Sequence, residues 1–100
     1  MNKKAEVRWD KKASNRLNAE YKRIQKDSLK NADIVRDAII GITRKLPDNP
    51  ERYKRDPLKK NNPGNYRVFE SHSLRVSYLH TEEEIIILRV RHVKQKPLMY

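Results

Sequence analysis

The spacing of apolar positions changes along the chain, and the change divides it. Ala5, Val7 and Trp9 alternate with Glu6, Arg8 and Asp10. Period two is what one buried face gives a short strand. Asp10 is suited to cap a following helix by accepting a first-turn backbone N–H. Ala13, Leu17, Tyr21, Ile24 and Ser28 then recur at steps of three and four, with Lys12, Arg16, Lys22, Arg23 and Lys26 opposite. The pattern predicts a helix from about Lys11 to Ser28, with Trp9 and Tyr21 in the core. Asp27, Ser28 and Asn31 are cap-type residues and mark a break. A second helix follows with the stripe Ile34, Val35, Ala38, Ile39, Ile42 and Leu46. Pro47 ends it, because the residue before a proline is pushed off helical ψ. Gly41 lies inside that helix at a cost of ~1 kcal/mol against alanine, which a close helix–helix or helix–sheet contact would explain.

Pro47 to Asn65 has no periodicity and is rich in Pro, Asn, Asp and Lys. A connection of this length in a small domain is often functional. Beyond it the period returns to two. Tyr66, Val68 and Glu70 alternate with Arg67, Phe69 and Ser71, and Leu74, Val76 and Tyr78 with Arg75, Ser77 and Leu79. Ile85 to Val90 is an apolar, β-branched run that continues into Arg91 and His92. Three strands result, with turns near Ser71–Ser73 and His80–Glu83. The expected fold is α+β in the order β-α-α-β-β-β, a helical hairpin packed on an antiparallel sheet. The chain of 100 residues reads as one domain, 1–100.

Charge narrows the partner. There are 24 Lys and Arg against 13 Asp and Glu, a net +11, which points to an anionic partner: nucleic acid, the ribosome or an acidic protein. No apolar run nears the ~20 residues of a membrane helix. Met1 to Glu6 lack the apolar stretch of a secretory signal, so the reading is cytoplasmic, with no membrane partner. Zero cysteines leave no disulfide, thiolate metal site or cysteine nucleophile. Three scattered histidines and no glycine-rich loop imply no cofactor or metal.

If Val68, Val76, Leu88 and Val90 face the helices, then Arg67, Phe69, Arg75, Ser77, Arg89 and Arg91 share the other face, with register deciding the matter. That face would gather four guanidiniums suited to bind phosphate. The loop adds Arg52, Lys54, Arg55, Lys59 and Lys60. With Arg89 and Arg91 these are the candidate nucleic-acid contacts. His92 offers an imidazole able to take a proton near neutral pH. His72 and His80 read as structural or solvent-facing.

Val7-Arg8-Trp9-Asp10 followed by Lys12-Ala13, Tyr66-Arg67-Val68-Phe69, Leu74-Arg75-Val76-Ser77-Tyr78 and Ile86-Ile87-Leu88-Arg89-Val90-Arg91-His92 together resemble the RelE/ParE superfamily, the toxins of bacterial toxin–antitoxin pairs. The resemblance implies an acidic antitoxin partner and divides in mechanism. RelE-type members cut messenger RNA in the ribosomal decoding site, whereas ParE-type members poison DNA gyrase without chemistry of their own. Carried onto this chain, the RelE pattern picks out Arg67, Arg75, Lys94 and Tyr100, and with the His92 imidazole as a base these make the candidate catalytic set. Phe69 departs from it by standing where that pattern has a lysine. The expectation is a ribosome-dependent mRNA endonuclease. The alternatives are a gyrase-poisoning toxin and a basic RNA-binding module.

Overall fold

A computed structural model describes residues 4–100. The chain opening, read above as lacking a secretory signal, lies partly outside the described residues. Strand β1 spans Glu6–Trp9, helices α1 and α2 span Lys11–Gln25 and Leu29–Lys45, and a 3-10 turn follows at Leu46–Asp48. Strands β2 (Lys54–Arg55), β3 (Tyr66–Ser71), β4 (Leu74–His80) and β5 (Glu84–His92) complete the order.

Local chemistry sets these bounds. The Asp10 carboxylate accepts from the Lys12 N–H and the Ser28 hydroxyl from the Asn31 N–H, each filling an orphan donor of a first helical turn. α1 ends at Gln25, a few residues earlier than its periodicity suggests, so that Ser28 is free to cap α2. Pro47 lies inside the 3-10 turn, where its missing N–H costs no helical bond. His72 and Ser73 both take positive φ, 50° and 66°. Two successive positive φ values match the right-handed twist of a tight hairpin.

The sheet order is β1-β5-β4-β3-β2. β2 to β5 are antiparallel neighbours, while β1 lies parallel to β5. The sheet is therefore mixed, where the sequence suggested an antiparallel one. The long route through the two helices lets β1 arrive in parallel register. β5, the most apolar strand, sits inside the sheet between β1 and β4, away from any edge. The two-residue strand β2 adds order to the loop that periodicity left blank.

One sheet face packs on the helices. Ala13, Leu17, Ile39 and Leu46 meet Phe69, Leu74, Val76, Tyr78, Ile85, Ile87 and Val90 in one buried cluster. Tyr53 covers Phe69 with ring centres 5.3 Å apart, and Phe69 lies 6.4 Å from Tyr78. Trp9 is half-buried against this cluster. Tyr21 is half-buried too, but on the polar side of the helical hairpin. Its hydroxyl donates to Asp33 at 2.6 Å and the Arg36 guanidinium stands 4.6 Å above its ring.

Three side-chain placements differ from the sequence reading. A bulge interrupts the β4–β5 ladder: Ser77 pairs with Arg89 and Tyr78 with Ile87, leaving Leu88 unmatched. The extra residue puts Ile85, Ile87 and Val90 on one face, which strict alternation forbids. Val68 lies opposite Ser77 and Lys54. Directly paired residues share a face, so Val68 belongs to the outer face and Phe69 to the core. In α2 the buried positions are Ala32, Ile39 and Thr43, and Ile34 is 47% exposed. Gly41 has nothing within 4 Å of where a side chain would start, so close packing is not the reason for this glycine.

Candidate functional site

The outer sheet face, turned away from the helices, carries three of the four expected arginines. Arg75 and Arg91 are directly paired, as are Ser77 and Arg89. Arg67 is not among them. It pairs with Tyr78, so register places it on the helix-facing side. There its Nε donates to the Gly64 carbonyl at 2.9 Å and its Nη1 to the carbonyls of Tyr53 at 3.0 Å and Glu51 at 3.4 Å. The expected convergence of Arg67, Arg75, Arg89 and Arg91 is corrected accordingly. The register that sends Phe69 into the core sends Arg67 the same way.

The outer arginines are also engaged within the chain. Arg75 forms an ion pair with Glu70, Nη2 to Oε2 at 3.0 Å, across the β3–β4 ladder. Arg89 donates to the Leu98 carbonyl at 2.8 Å and Arg91 to the Lys96 carbonyl at 3.2 Å. These bonds strap the C-terminal segment 93–100 over the outer face. Its end is fixed by the backbone: Tyr100 N–H donates to Leu58 and Lys60 N–H to Tyr100. The Tyr100 hydroxyl donates to Asp56 Oδ2 at 2.6 Å. The Arg89 guanidinium lies 4.3 Å from the Tyr100 ring centre, within cation–π range.

Two titrations follow from this packing. Burial, and then the hydrogen bond to Asp56, push the Tyr100 phenol above its ordinary range. Burial, and then the neighbouring Arg91, lower the Arg89 guanidinium from its usual value. A phenol held protonated against a carboxylate is a structural donor at neutral pH and is poorly placed to exchange a proton with a substrate.

The remaining candidates are dispersed. His92 lies opposite Leu74 at the end of β5, and its Nδ1 accepts from the Lys94 N–H at 3.1 Å. Lys94 itself is exposed in the turn that follows. Gln95 Oε1 accepts from His92 N–H and from Arg16 of α1, tying this turn to the helices. In the loop, Arg52 lies over Tyr53, and Lys59 stands 4.8 Å from the Tyr66 ring and 5.5 Å from that of Tyr100. Lys54, Arg55 and Lys60 are exposed. Among the described residues no three His, Asp or Glu side chains gather to hold a metal ion.

Asp56 is a residue of this candidate face that the sequence did not single out. It is 2% exposed and accepts from Leu58 N–H and from Tyr100. Asn62 is the second. Its side chain brackets the turn before β3 through the Gly64 N–H, the Tyr66 N–H and the Tyr66 carbonyl. The Asn-Pro-Gly run was the available signal for such a turn.

Comparison with known proteins agrees with this architecture. The family model for the ParE toxin of the type II toxin–antitoxin system parDE matches residues 7–97. A solved structure described as "Chromosomal ParDE TA system from P. aeruginosa" superposes with a TM-score of 0.70 at 20% identity, covering 90% of this chain and 97% of that one. At that identity the likeness concerns the fold. No curated protein matches. The chain belongs to the ParE toxin family, within the RelE/ParE superfamily that its strand residues resemble.

Proposed function

We propose that this toxin acts on DNA gyrase as a binder and breaks no bond of its own, and that an acidic antitoxin neutralises it. The observation that carries the reading is the dispersal of the candidate catalytic set. Cleaving RNA by attack of its 2′-hydroxyl needs a base, cations and an acid around a single phosphate. Arg67 and Tyr100 lie on opposite faces of the sheet, the Tyr100 hydroxyl is committed to Asp56, and Phe69 is in the core. The match to the ParE toxin family supports the same side.

One observation favours the endonuclease as a second reading. Arg75, Arg89 and Arg91 share the outer face, and Tyr100 lies beside Arg89. An RNA backbone could reach them if the C-terminal segment moved aside.

The test is a cleavage assay with purified gyrase, ATP and supercoiled plasmid. The gyrase reading predicts linear DNA that accumulates with added toxin and is suppressed by the antitoxin. Unaltered gyrase products, together with cut messenger on programmed ribosomes, would replace it with the second reading.

A further inference from the structure

Arg55 and Arg67 are directly opposite each other on β2 and β3. Like charges in that position repel, and neither guanidinium has a carboxylate partner among the described residues. The pair borders a notch of about 460 Å³ at the helix-facing side of the sheet end, lined also by Gly64, Asn65, His80 and Glu51. His80 reaches it from β4 because Asn65 and His80 extend the β3–β4 ladder, with the His80 N–H donating to the Asn65 carbonyl at 3.0 Å.

The notch holds unspent hydrogen-bonding capacity. Arg67 is fixed by three backbone carbonyls through Nε and Nη1, which leaves Nη2 without a partner among the described residues. Such anchoring removes the rotamer entropy that a free arginine loses on binding. Arg55 makes no hydrogen bond or ion pair among the described residues and rests against Gly64, where an added side chain would meet its Nη2 at 3.1 Å. Gly64 has φ +119°, a conformation suited to glycine, so the turn keeps this space clear. His80 Nε2 and Asn65 Oδ1 are both buried without a partner. Buried polar atoms are normally satisfied, and here two unpartnered ones belong to residues that border the same notch, so a small shift of either side chain offers them to a ligand bound there. Half a turn of the Asn65 amide replaces its oxygen with an NH₂ donor.

We infer that Arg55, Arg67 and His80 form a phosphate-binding site. Donors arriving from three strands suit a tetrahedral oxyanion better than a planar carboxylate, which a single guanidinium already satisfies. The anion also relieves the repulsion within the arginine pair. The site lies on the opposite side of the sheet from the strapped outer face and does not depend on the gyrase reading.

The experiment follows the His80 imidazole by ¹H–¹⁵N NMR in the full chain. Inorganic phosphate is titrated against chloride at matched ionic strength. A saturable shift at His80 is expected, and Arg55→Gln weakens phosphate binding by about tenfold or more. Arg55 is exposed, so that variant keeps its fold; His80→Gln, followed by thermal shift, is the second variant and should lose the rise in Tm that phosphate gives. A duplex oligonucleotide that moves the same resonance and displaces phosphate identifies the source as a nucleic-acid backbone. A response to inorganic phosphate alone identifies free phosphate. The site is refuted if His80 does not move, if Arg55→Gln binds phosphate as tightly as the parent, or if only a glutamate-rich peptide shifts it.

Discussion

The Tyr100 hydroxyl donates to Asp56 at 2.6 Å, so the last residue of the chain closes onto the loop that leads from β2 to β3. Tyr100→Phe deletes only that hydroxyl and leaves a buried carboxylate with one fewer donor. A loss of about 1–3 kcal/mol in urea unfolding is expected. The effect depends on pH. A phenol whose folded pKa lies above the ordinary 10.0 contributes its full stability below pH ~10 and loses it as pH rises through the folded value. Tyr78, pushed up to about 12 by burial, titrates in both proteins, so the difference between parent and variant is the quantity to follow. That difference should shrink above pH ~10.

Glu20 makes the complementary prediction at acid pH. Burial pushes its carboxyl up, but hydrogen bonds from Arg23 and Arg16 outweigh burial and hold it below 4.5. The stability it confers is complete above that value and is lost as pH falls through the lowered one. Glu20→Gln should be less stable than the parent at neutral pH. The two should converge as acid protonates the parent, measured by urea midpoints between pH 7 and 2.5.

Gly41 sits in the middle of α2 with open space where a side chain would begin. Gly41→Ala should stabilise the protein by about 1 kcal/mol, since alanine is the better helix former and limits the unfolded chain. A fall in Tm would mean that the groove beside Asp37, Lys45 and Tyr53 has less room than the structure gives it.

Arg67 was a candidate catalytic residue and Phe69 stands where the RelE pattern has a lysine, and both are held on the helix-facing side of the sheet. Phe69→Ala should cost about 3–5 kcal/mol through the cavity it opens. Arg67→Ala should cost about 1–3 kcal/mol by stripping donors from partly buried carbonyls. Any loss of toxicity in these variants should therefore track thermal stability and soluble yield. An Arg67→Ala protein of parental Tm that is no longer toxic would give Arg67 a functional role of its own.

Much of the fold was legible because short-range chemistry determines it. Asp10, Ser28 and Pro47 mark helix ends, and period two marks β1, β3 and β4. Two parts of the sheet faces were misread, each for its own physical reason. Ile85 to Leu88 is apolar at every position, so nothing in that run reveals the bulge that leaves Leu88 unmatched, while Arg89, Val90 and Arg91 keep the faces expected of them. Val68, Phe69 and Arg67 were misplaced for a separate reason. β3 pairs with β4 so that Val68 meets Ser77 and Phe69 meets Val76, and valine and phenylalanine are equally suited to burial, so alternation alone does not say which set of β3 faces inward. Tyr100 was singled out by its family position, but its partner Asp56 lies 44 positions away, a pairing that only tertiary structure can make.

The most direct test of the central claim is a map of transcript 5′ ends after brief induction of the toxin without its antitoxin. A protein that binds gyrase and has no assembled catalytic centre should arrest growth while adding no new 5′ ends at codons in the ribosomal A site. In-frame cuts across many messengers, lost on Arg75→Ala while the protein stays folded, would contradict it.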